Sequence, residues 1–138
     1  MEGMEGYAEH PARAASIHSM TAAEAGDRAA WLAGFADDAV VADPIGPSPF
    51  DPEGHGHQGP EAIAAFWDTV IAGNTIRFTI RESYAAGPEC ANVGTITTTL
   101  PDGTDVAVEG VYTYRIADDG RLAALRAFWQ FDDARVVG

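Results

Sequence analysis

Positive charge is scarce in this chain. The 8 basic residues are all arginine and are opposed by 21 acidic residues, so the formal net charge is −13. A surface this negative repels phosphate backbones and anionic lipid headgroups. We therefore expect neither nucleic acid nor membranes as partners.

Cysteine and long apolar runs are scarce or missing as well. The single cysteine, Cys90, cannot form an intrachain disulfide and has no companions at metal-ligand spacing. No run approaches the ~18 apolar residues of a membrane-spanning helix. The acidic N-terminus, Met1–Gly6, lacks the apolar stretch of a secretory signal. These features lead us to expect a cytoplasmic protein.

The chain has the size of one folded unit. Its 138 residues, of which 46% are hydrophobic, can bury a sizeable core. We expect a single domain over residues 1–138, with residues 1–8 flexible.

Helical patterns dominate the first half. Alanine-rich residues 9–25 predict a helix, and Gly26-Asp27 predicts a break followed by an N-cap. A capping-box pattern at Thr21–Glu24 competes with that break. The break is favoured because a short helix follows with an apolar face made by Trp31, Leu32 and Phe35. Residues 60–73 predict the third helix, with apolar side chains at the helical period.

The second half is rich in strand patterns. Asp-Gly pairs within Pro101–Gly103 and Asp118–Gly120 are typical of hairpin turns. Four β-type runs cover residues 75–84, 91–100, 104–116 and 122–131. Three N-terminal helices before an antiparallel meander predict an α+β domain, in which a curved sheet and the helices form a cone around a pocket.

Asp43 has an unusual position. It ends a short apolar strand, just before Pro44, and alternation along the strand directs it to the same side as Val41. A carboxylate is rarely directed toward a core unless it is paired or used in chemistry. Asp43 is therefore the candidate catalytic residue, and a buried acid that caps the turn is the alternative.

The span 46–59 is a long loop rich in proline and glycine. Loops of this length in small domains are usually functional or mobile, so it is expected to act as a lid, with Phe50 as an apolar plug. It contains His55 and His57, but no third ligand is evident at useful spacing. We therefore expect no metal and no cofactor.

Parts of the sequence resemble the bacterial ketosteroid isomerases and the wider nuclear-transport-factor-two-like superfamily, which also contains SnoaL-like cyclases, epoxide hydrolases and non-catalytic proteins. The resemblance spans roughly residues 15–131. The stretches that show it are Gly26-Asp27, Phe35–Gly46, Gly59 with Glu61–Trp67, and Asp119–Arg121 with Ala127–Trp129. It implies the cone-shaped fold and proton transfer between two carbons of a small carbonyl ligand.

The resemblance assigns a role to Asp43 as the general base. The family pairs this base with an oxyanion hole of a tyrosine and a protonated aspartate. Here those positions are occupied by Ser19, next to His18, and by Tyr112. A phenol is a neutral donor at neutral pH, so Tyr112 is the expected enolate donor, with Tyr114 orienting it.

The same register implies which side chains bind the ligand. Trp129 matches an aromatic position beside the family's pocket. Val93, Thr95 and Thr97 are expected to face inward, which would favour a smaller or more polar ligand than a steroid. The other expected ligand-binding residues are His18, Ser19, Phe35, Phe50, Phe66, Trp67 and Tyr114.

Three functions remain open at this point. The favoured one is an isomerase-like enzyme acting on a ketosteroid or a smaller cyclic enone. A SnoaL-like cyclase or epoxide-opening enzyme would use the same aspartate, and a binding module without turnover would use none. A homodimer is expected through the open sheet face, with Ile96, Thr98, Val111 and Thr113 outward.

Overall fold

The computed structural model describes residues 1–137 and consists of three α-helices packed on one curved sheet. The helices are α1 (Pro11–Ala25), α2 (Arg28–Ala33) and α3 (Gly59–Phe66), and a wider helical turn, Trp67–Ile71, extends α3. The strands are β1 (Phe35–Ala42), β2 (His57–Gln58), β3 (Thr75–Ala86), β4 (Glu89–Thr99), β5 (Asp105–Ile116), β6 (Leu122–Phe128) and β7 (Arg135–Val137). A short 3-10 turn, Phe131–Asp133, precedes β7.

The predicted break between the first two helices is confirmed. Gly26 ends α1 in the left-handed region, with φ of 67°, which glycine adopts without a steric penalty. The side chain of Asp27 then accepts a hydrogen bond from the backbone N–H of Ala30 at 3.1 Å and caps α2. The competing helix start at Thr21–Glu24 is wrong, because α1 continues through these residues.

The sheet has the strand order β2-β1-β6-β5-β4-β3, and β7 adds to β5. Strands β3 to β6 form the predicted antiparallel meander. The sheet as a whole is mixed, because β1 runs parallel to β6. The predicted α+β class with three helices and a curved, open sheet is confirmed.

Phe35 belongs to a strand and not to the second helix. Helix α2 ends at Ala33, and β1 begins at Phe35, which pairs with Leu122. The register of β1 against β6 shifts between Phe35 and Val40, and Asp37 and Asp38, which lie within this shift, are exposed. The sequence pattern placed Phe35 on the apolar face of the second helix. Pairing of β1 with β6 outweighs the weak local preference of this residue for a helix.

The N-terminal segment packs on the sheet, and the flexibility of residues 1–8 stays a prediction. The N–H of Glu2 donates to the carbonyl of Phe78 at 3.0 Å, and its carbonyl accepts from the N–H of Ile80 at 2.8 Å. Met4 is buried in the core. None of the helices within residues 1–137 has the length and the apolar character that a membrane-spanning helix needs.

Candidate active site

A cavity of about 280 Å³ lies between the concave face of the sheet and the helices. Its walls are mostly apolar, with contributions from Phe78 on β3, Ile96 on β4, Val108 on β5 and Leu125 on β6. Polar groups are few, which is typical of a small-molecule site. Those relevant to chemistry are Ser19, Asp43, Tyr112, Tyr114 and Trp129.

Asp43 borders this cavity because of how β1 ends. The strand pairs with β6 up to Ala42, and the N–H of Ile45 then donates to the carbonyl of Ala127 at 3.0 Å. The indole Nε1–H of Trp129 donates to Asp43 Oδ1 at 2.7 Å. The side chain is partly accessible, but it opens into the cavity and is otherwise surrounded by protein.

The surroundings of Asp43 favour its protonated form. Burial raises the pKa of the Asp43 carboxyl above its ordinary value, and the hydrogen bond from Trp129 opposes part of that rise. A raised pKa makes a carboxylate a stronger base and brings its titration closer to neutral pH.

Two phenols of β5 line the same cavity. Tyr112 and Tyr114 are both buried, and burial followed by the negative charge of Asp43 raises the pKa of each. Both are therefore neutral donors at neutral pH. The hydroxyl of Tyr112 has protein partners that were not expected, the carbonyl oxygens of Gly94 at 3.2 Å and Val108 at 3.0 Å.

The first helix contributes Ser19 to the cavity but not His18. The Nε2 atom of His18 lies 3.1 Å from the carbonyl oxygen of Ala30 and is directed toward α2. The expected role of His18 in ligand binding is therefore not supported by its position, since successive residues of a helix point about 100° apart.

The expected orientation of β4 is wrong. Ile96 and Thr98 line the cavity, whereas Val93, Thr95 and Thr97 do not. The reason is the pairing of Ile96 with Val108 on β5, since residues directly opposite each other share one face of a sheet. The threonine-rich run around these positions alternates too weakly to show its buried side from the sequence.

Trp31 is the centre of an aromatic cluster that the sequence did not single out as a site. Its ring lies 4.7 Å from that of Phe35 and 5.2 Å from that of Trp67, and it lines the cavity together with Phe66. Phe35 and Trp67 support this wall from behind, because they are buried but do not line the cavity. The expectation that Phe35 and Trp67 contact the ligand directly is therefore wrong, and both residues instead pack behind the cavity wall.

The loop 46–59 reaches the cavity through one residue, Phe50. The ring of Phe50 packs edge-on against Phe131 at 5.2 Å, and Phe131 packs on Trp129 at 4.9 Å. The ring of His57 lies 4.9 Å from that of Phe66, away from the cavity lining. The contribution of Phe131 could not be predicted, because it depends on the chain turning back after β6.

The rest of that loop is organised by the side chain of Asp51. Its Oδ1 accepts from the N–H of Gly54 at 3.2 Å, and its Oδ2 accepts from the N–H of Gly56 at 2.8 Å. The loop therefore has internal structure of its own. Across residues 1–137, no three histidine, cysteine or acidic side chains lie close enough to hold a metal ion.

Comparisons with known proteins identify the family and the fold. The SnoaL-like domain family matches residues 17–125. The ketosteroid isomerase from Mycobacterium sp. shares 40% identity and a TM-score of 0.89, over 94% of this chain and 100% of that one. The protein RV0760c from Mycobacterium tuberculosis shares 36% identity and a TM-score of 0.89, over 95% of this chain and 99% of that one.

Further matches show the range of the fold. RV0760c has also been solved in complex with estradiol-17beta-hemisuccinate, and that structure shares 37% identity and a TM-score of 0.87, over 92% of this chain and 99% of that one. The epoxide hydrolase/cyclase-like enzyme SalBIII shares 20% identity and a TM-score of 0.75, over 91% of this chain and 95% of that one, which shows the fold alone. A search of curated proteins found no match. The chain belongs to the SnoaL-like family, and within the nuclear-transport-factor-two-like fold it is similar to the ketosteroid isomerases.

Proposed function

We propose that this protein is a cofactor-free acid/base enzyme that moves a proton next to a ligand carbonyl, with Asp43 as the base. The observation that supports this most is the carboxylate at the wall of an apolar cavity, oriented by Trp129 and partly accessible from that cavity. Burial raises its pKa, as a general base near neutral pH requires.

The proposed reaction is the isomerisation of a β,γ-unsaturated ketone. Asp43 removes a proton from the carbon between the carbonyl and the double bond. The electron pair moves toward the carbonyl oxygen and forms a dienolate, which a neutral phenol of β5 stabilises by donating a hydrogen bond. The carboxyl group of Asp43 then returns the proton to the far carbon of the former double bond, which yields the conjugated enone and restores the carboxylate.

The cavity suits a flat, largely apolar ligand. The cavity wall includes Ile96 and Val108. It does not include Val93, Thr95 and Thr97, the smaller or polar residues expected to face inward. A steroid-like ketone therefore fits the lining better than the polar ligand expected from the sequence. The similarity to the mycobacterial ketosteroid isomerase and to a protein solved with an estradiol derivative supports the same class.

Deuterium exchange tests the proposal. The protein in deuterated buffer should incorporate deuterium into 5-androstene-3,17-dione or a simple cyclic β,γ-enone, followed by mass spectrometry. Asp43→Asn should slow the exchange by about 10²–10⁴-fold, the usual contribution of a general base. Asp38→Asn, on the exposed side of β1, is the matched control. Equal exchange by the wild-type protein and Asp43→Asn would show that Asp43 is not the base.

A binding module without turnover is the second candidate. It is favoured by the serine at position 19, where the related isomerases have a tyrosine donor, since Ser19 is too short to replace a phenol directly. Tight binding of steroid ketones without any deuterium exchange would support this candidate over the enzyme.

A further inference from the structure

We propose that the phenol of Tyr114 donates the hydrogen bond to the ligand's oxygen beside Asp43, and that the phenol of Tyr112 instead joins β4 to β5. This inference rests on the proposed function for its chemistry. The assignment reverses the roles that the sequence resemblance implies for these two tyrosines, and it follows from what each hydroxyl contacts.

The proton of the Tyr112 hydroxyl is already engaged. A phenol has one proton, and the two oxygens within reach of it are the backbone carbonyls of Gly94 and Val108, at 3.2 and 3.0 Å. To donate to a ligand, the Tyr112 hydroxyl would have to break its hydrogen bonds to both carbonyls. Water could not easily replace it there, because Tyr112 is only 1% exposed. Giving up this hydrogen bond would leave buried carbonyl oxygens without a donor, so the Tyr112 hydroxyl is poorly available to a ligand.

The position of Tyr112 also points to a structural role. Its hydroxyl reaches the carbonyl of a residue four positions earlier, so the ring runs back along β5 across Gly110. Gly110 pairs with Gly94 at a place where the backbone is crowded. A Cβ on Gly94 would lie 2.1 Å from the carbonyl oxygen of Thr79, and a Cβ on Gly110 would lie 2.2 Å from that of Phe128. The side chain of Tyr112 therefore joins β4 to β5 at the two glycines, which have no side chains of their own to pack there.

The hydroxyl of Tyr114 has no hydrogen-bond partner among residues 1–137. Every fully buried side-chain oxygen or nitrogen in that part of the chain does have one. The Tyr114 hydroxyl is therefore not sealed in the protein, although the residue as a whole is 3% exposed. Since Tyr114 lines the cavity, its hydroxyl opens into the space that Asp43 also borders.

The neighbouring strands explain why this hydroxyl stays available. Tyr114 pairs with Leu125 on one side and with Cys90 on the other. The polar groups next to Cys90 satisfy one another, because Ser83 Oγ donates to Asn92 Oδ1 at 2.7 Å and Asn92 Nδ2 donates to a helix serine. None of these groups requires the phenol as a partner.

The geometry of the sheet brings the phenol and the base to one site. The pairing of β1 with β6 and of β6 with β5 places Val41, Leu125 and Tyr114 in one row across the concave face. Ala127 and Tyr112 form the next row, and Asp43, Ala127 and Tyr114 all line the cavity. A ligand there can meet the carboxylate and a neutral phenol together.

A pair of phenol deletions tests the assignment. The probe is equilenin, a steroid phenol that mimics the dienolate, and its dissociation constant is measured by fluorescence titration. Tyr114→Phe should weaken equilenin binding about tenfold to a hundredfold, the range expected for one hydrogen bond to a charged or strongly polarised oxygen. Tyr112→Phe should cause the smaller loss of affinity and the larger fall in Tm. Tyr84→Phe, on an exposed side chain, is the matched control.

The outcomes separate this inference from the proposed function. A larger loss of affinity with Tyr112→Phe than with Tyr114→Phe overturns the inference, and so does an absence of equilenin binding by the wild-type protein. Equilenin binding that depends on Tyr114, without any deuterium exchange into enones, supports the inference and rejects the enzyme. Deuterium exchange that Asp43→Asn abolishes and Tyr114→Phe leaves at the wild-type rate supports the enzyme and rejects the inference.

Discussion

The indole of Trp129 donates its N–H to Oδ1 of Asp43 at 2.7 Å, and across residues 1–137 no other side chain hydrogen-bonds this carboxylate. The two residues are 86 positions apart and meet because β1 runs parallel to β6. The contact orients the proposed base. It also lowers the pKa of Asp43 against the opposing effect of burial.

Removing the indole should shift the pH dependence of catalysis. In Trp129→Phe the hydrogen bond that stabilises the carboxylate is lost, so the pKa of Asp43 rises further. The acid limb of the rate profile should move to higher pH, which is measured by deuterium exchange over a pH series. Phe128→Leu, at the exposed neighbouring position, is the control and should keep the wild-type profile. An unmoved acid limb in Trp129→Phe would contradict a role in setting this pKa.

Asp43→Asn should stabilise the protein at neutral pH. The pKa of Asp43 is raised in the folded protein above its ordinary value of 3.8, so the folded state holds the proton more tightly than the unfolded state. The free energy of unfolding therefore falls as pH rises from about that value through the raised pKa, and stays lower above it. The variant lacks this titration. Its Tm should exceed that of the wild-type protein at neutral pH, and the gap should narrow on acidification toward pH 3.8.

The matched variant for this measurement is Asp38→Asn, because Asp38 is exposed. As a substitution on the exposed side of β1, it should change the Tm at neutral pH only slightly. A Tm of Asp43→Asn below that of the wild-type protein at neutral pH would show that the carboxylate is stabilised where it lies.

The corrected face of β4 predicts which side chains contact an apolar ligand. Ile96→Ala removes three apolar carbons from the cavity wall and should weaken binding of a steroid ketone by roughly tenfold to sixtyfold, since each buried CH₂ contributes up to ~0.8 kcal/mol. Thr97→Ala, one position along on the other face, should leave the affinity nearly unchanged. Calorimetric titration of both variants checks this. A larger loss of affinity with Thr97→Ala than with Ile96→Ala would show that Thr97 faces the ligand, as the sequence predicted.

The Phe50–Phe131 contact should control release of the ligand. Phe50→Ala removes an aromatic ring that lines the cavity and packs on Phe131, so bound ligand should dissociate several-fold faster, with a small change in Tm. Stopped-flow displacement of equilenin measures the rate, with Tyr84→Ala as the exposed aromatic control. Equal dissociation rates in the wild-type protein and Phe50→Ala would exclude a lid function for the loop 46–59.

A homodimer remains a prediction, and its expected surface is revised. Ile96 and Thr98 point into the cavity, so the outer face available for a partner carries Val93, Val111 and the exposed ring of Phe128. An apolar face of this kind is usually covered. Light scattering at micromolar concentration should give twice the 14.5 kDa chain mass, and Phe128→Asp should favour monomers. A monomer in the wild-type protein would reject the claim.

Local features of the sequence determined much of the fold. Gly26-Asp27 ends one helix and caps the next, and the turns with Gly103 and Gly120 have the positive φ that the Asp-Gly pattern predicts. The inward direction of Asp43 also follows locally, because alternation along a short apolar strand relates it to Val41. These predictions held because the residues that decide them are neighbours in the chain.

Only the tertiary structure decided which face of β4 is buried and which tyrosine has a free hydroxyl. The register between β4 and β5 determines the first, and a register is set by contacts summed over whole strands. The second depends on the carbonyl of Gly94, which the pairing of β4 with β5 brings to Tyr112, and on the carbonyl of Val108 on the same strand. Tyr112 and Tyr114 are equivalent in the sequence pattern, since both face inward on one strand, and they differ because only folding gives one of them a partner.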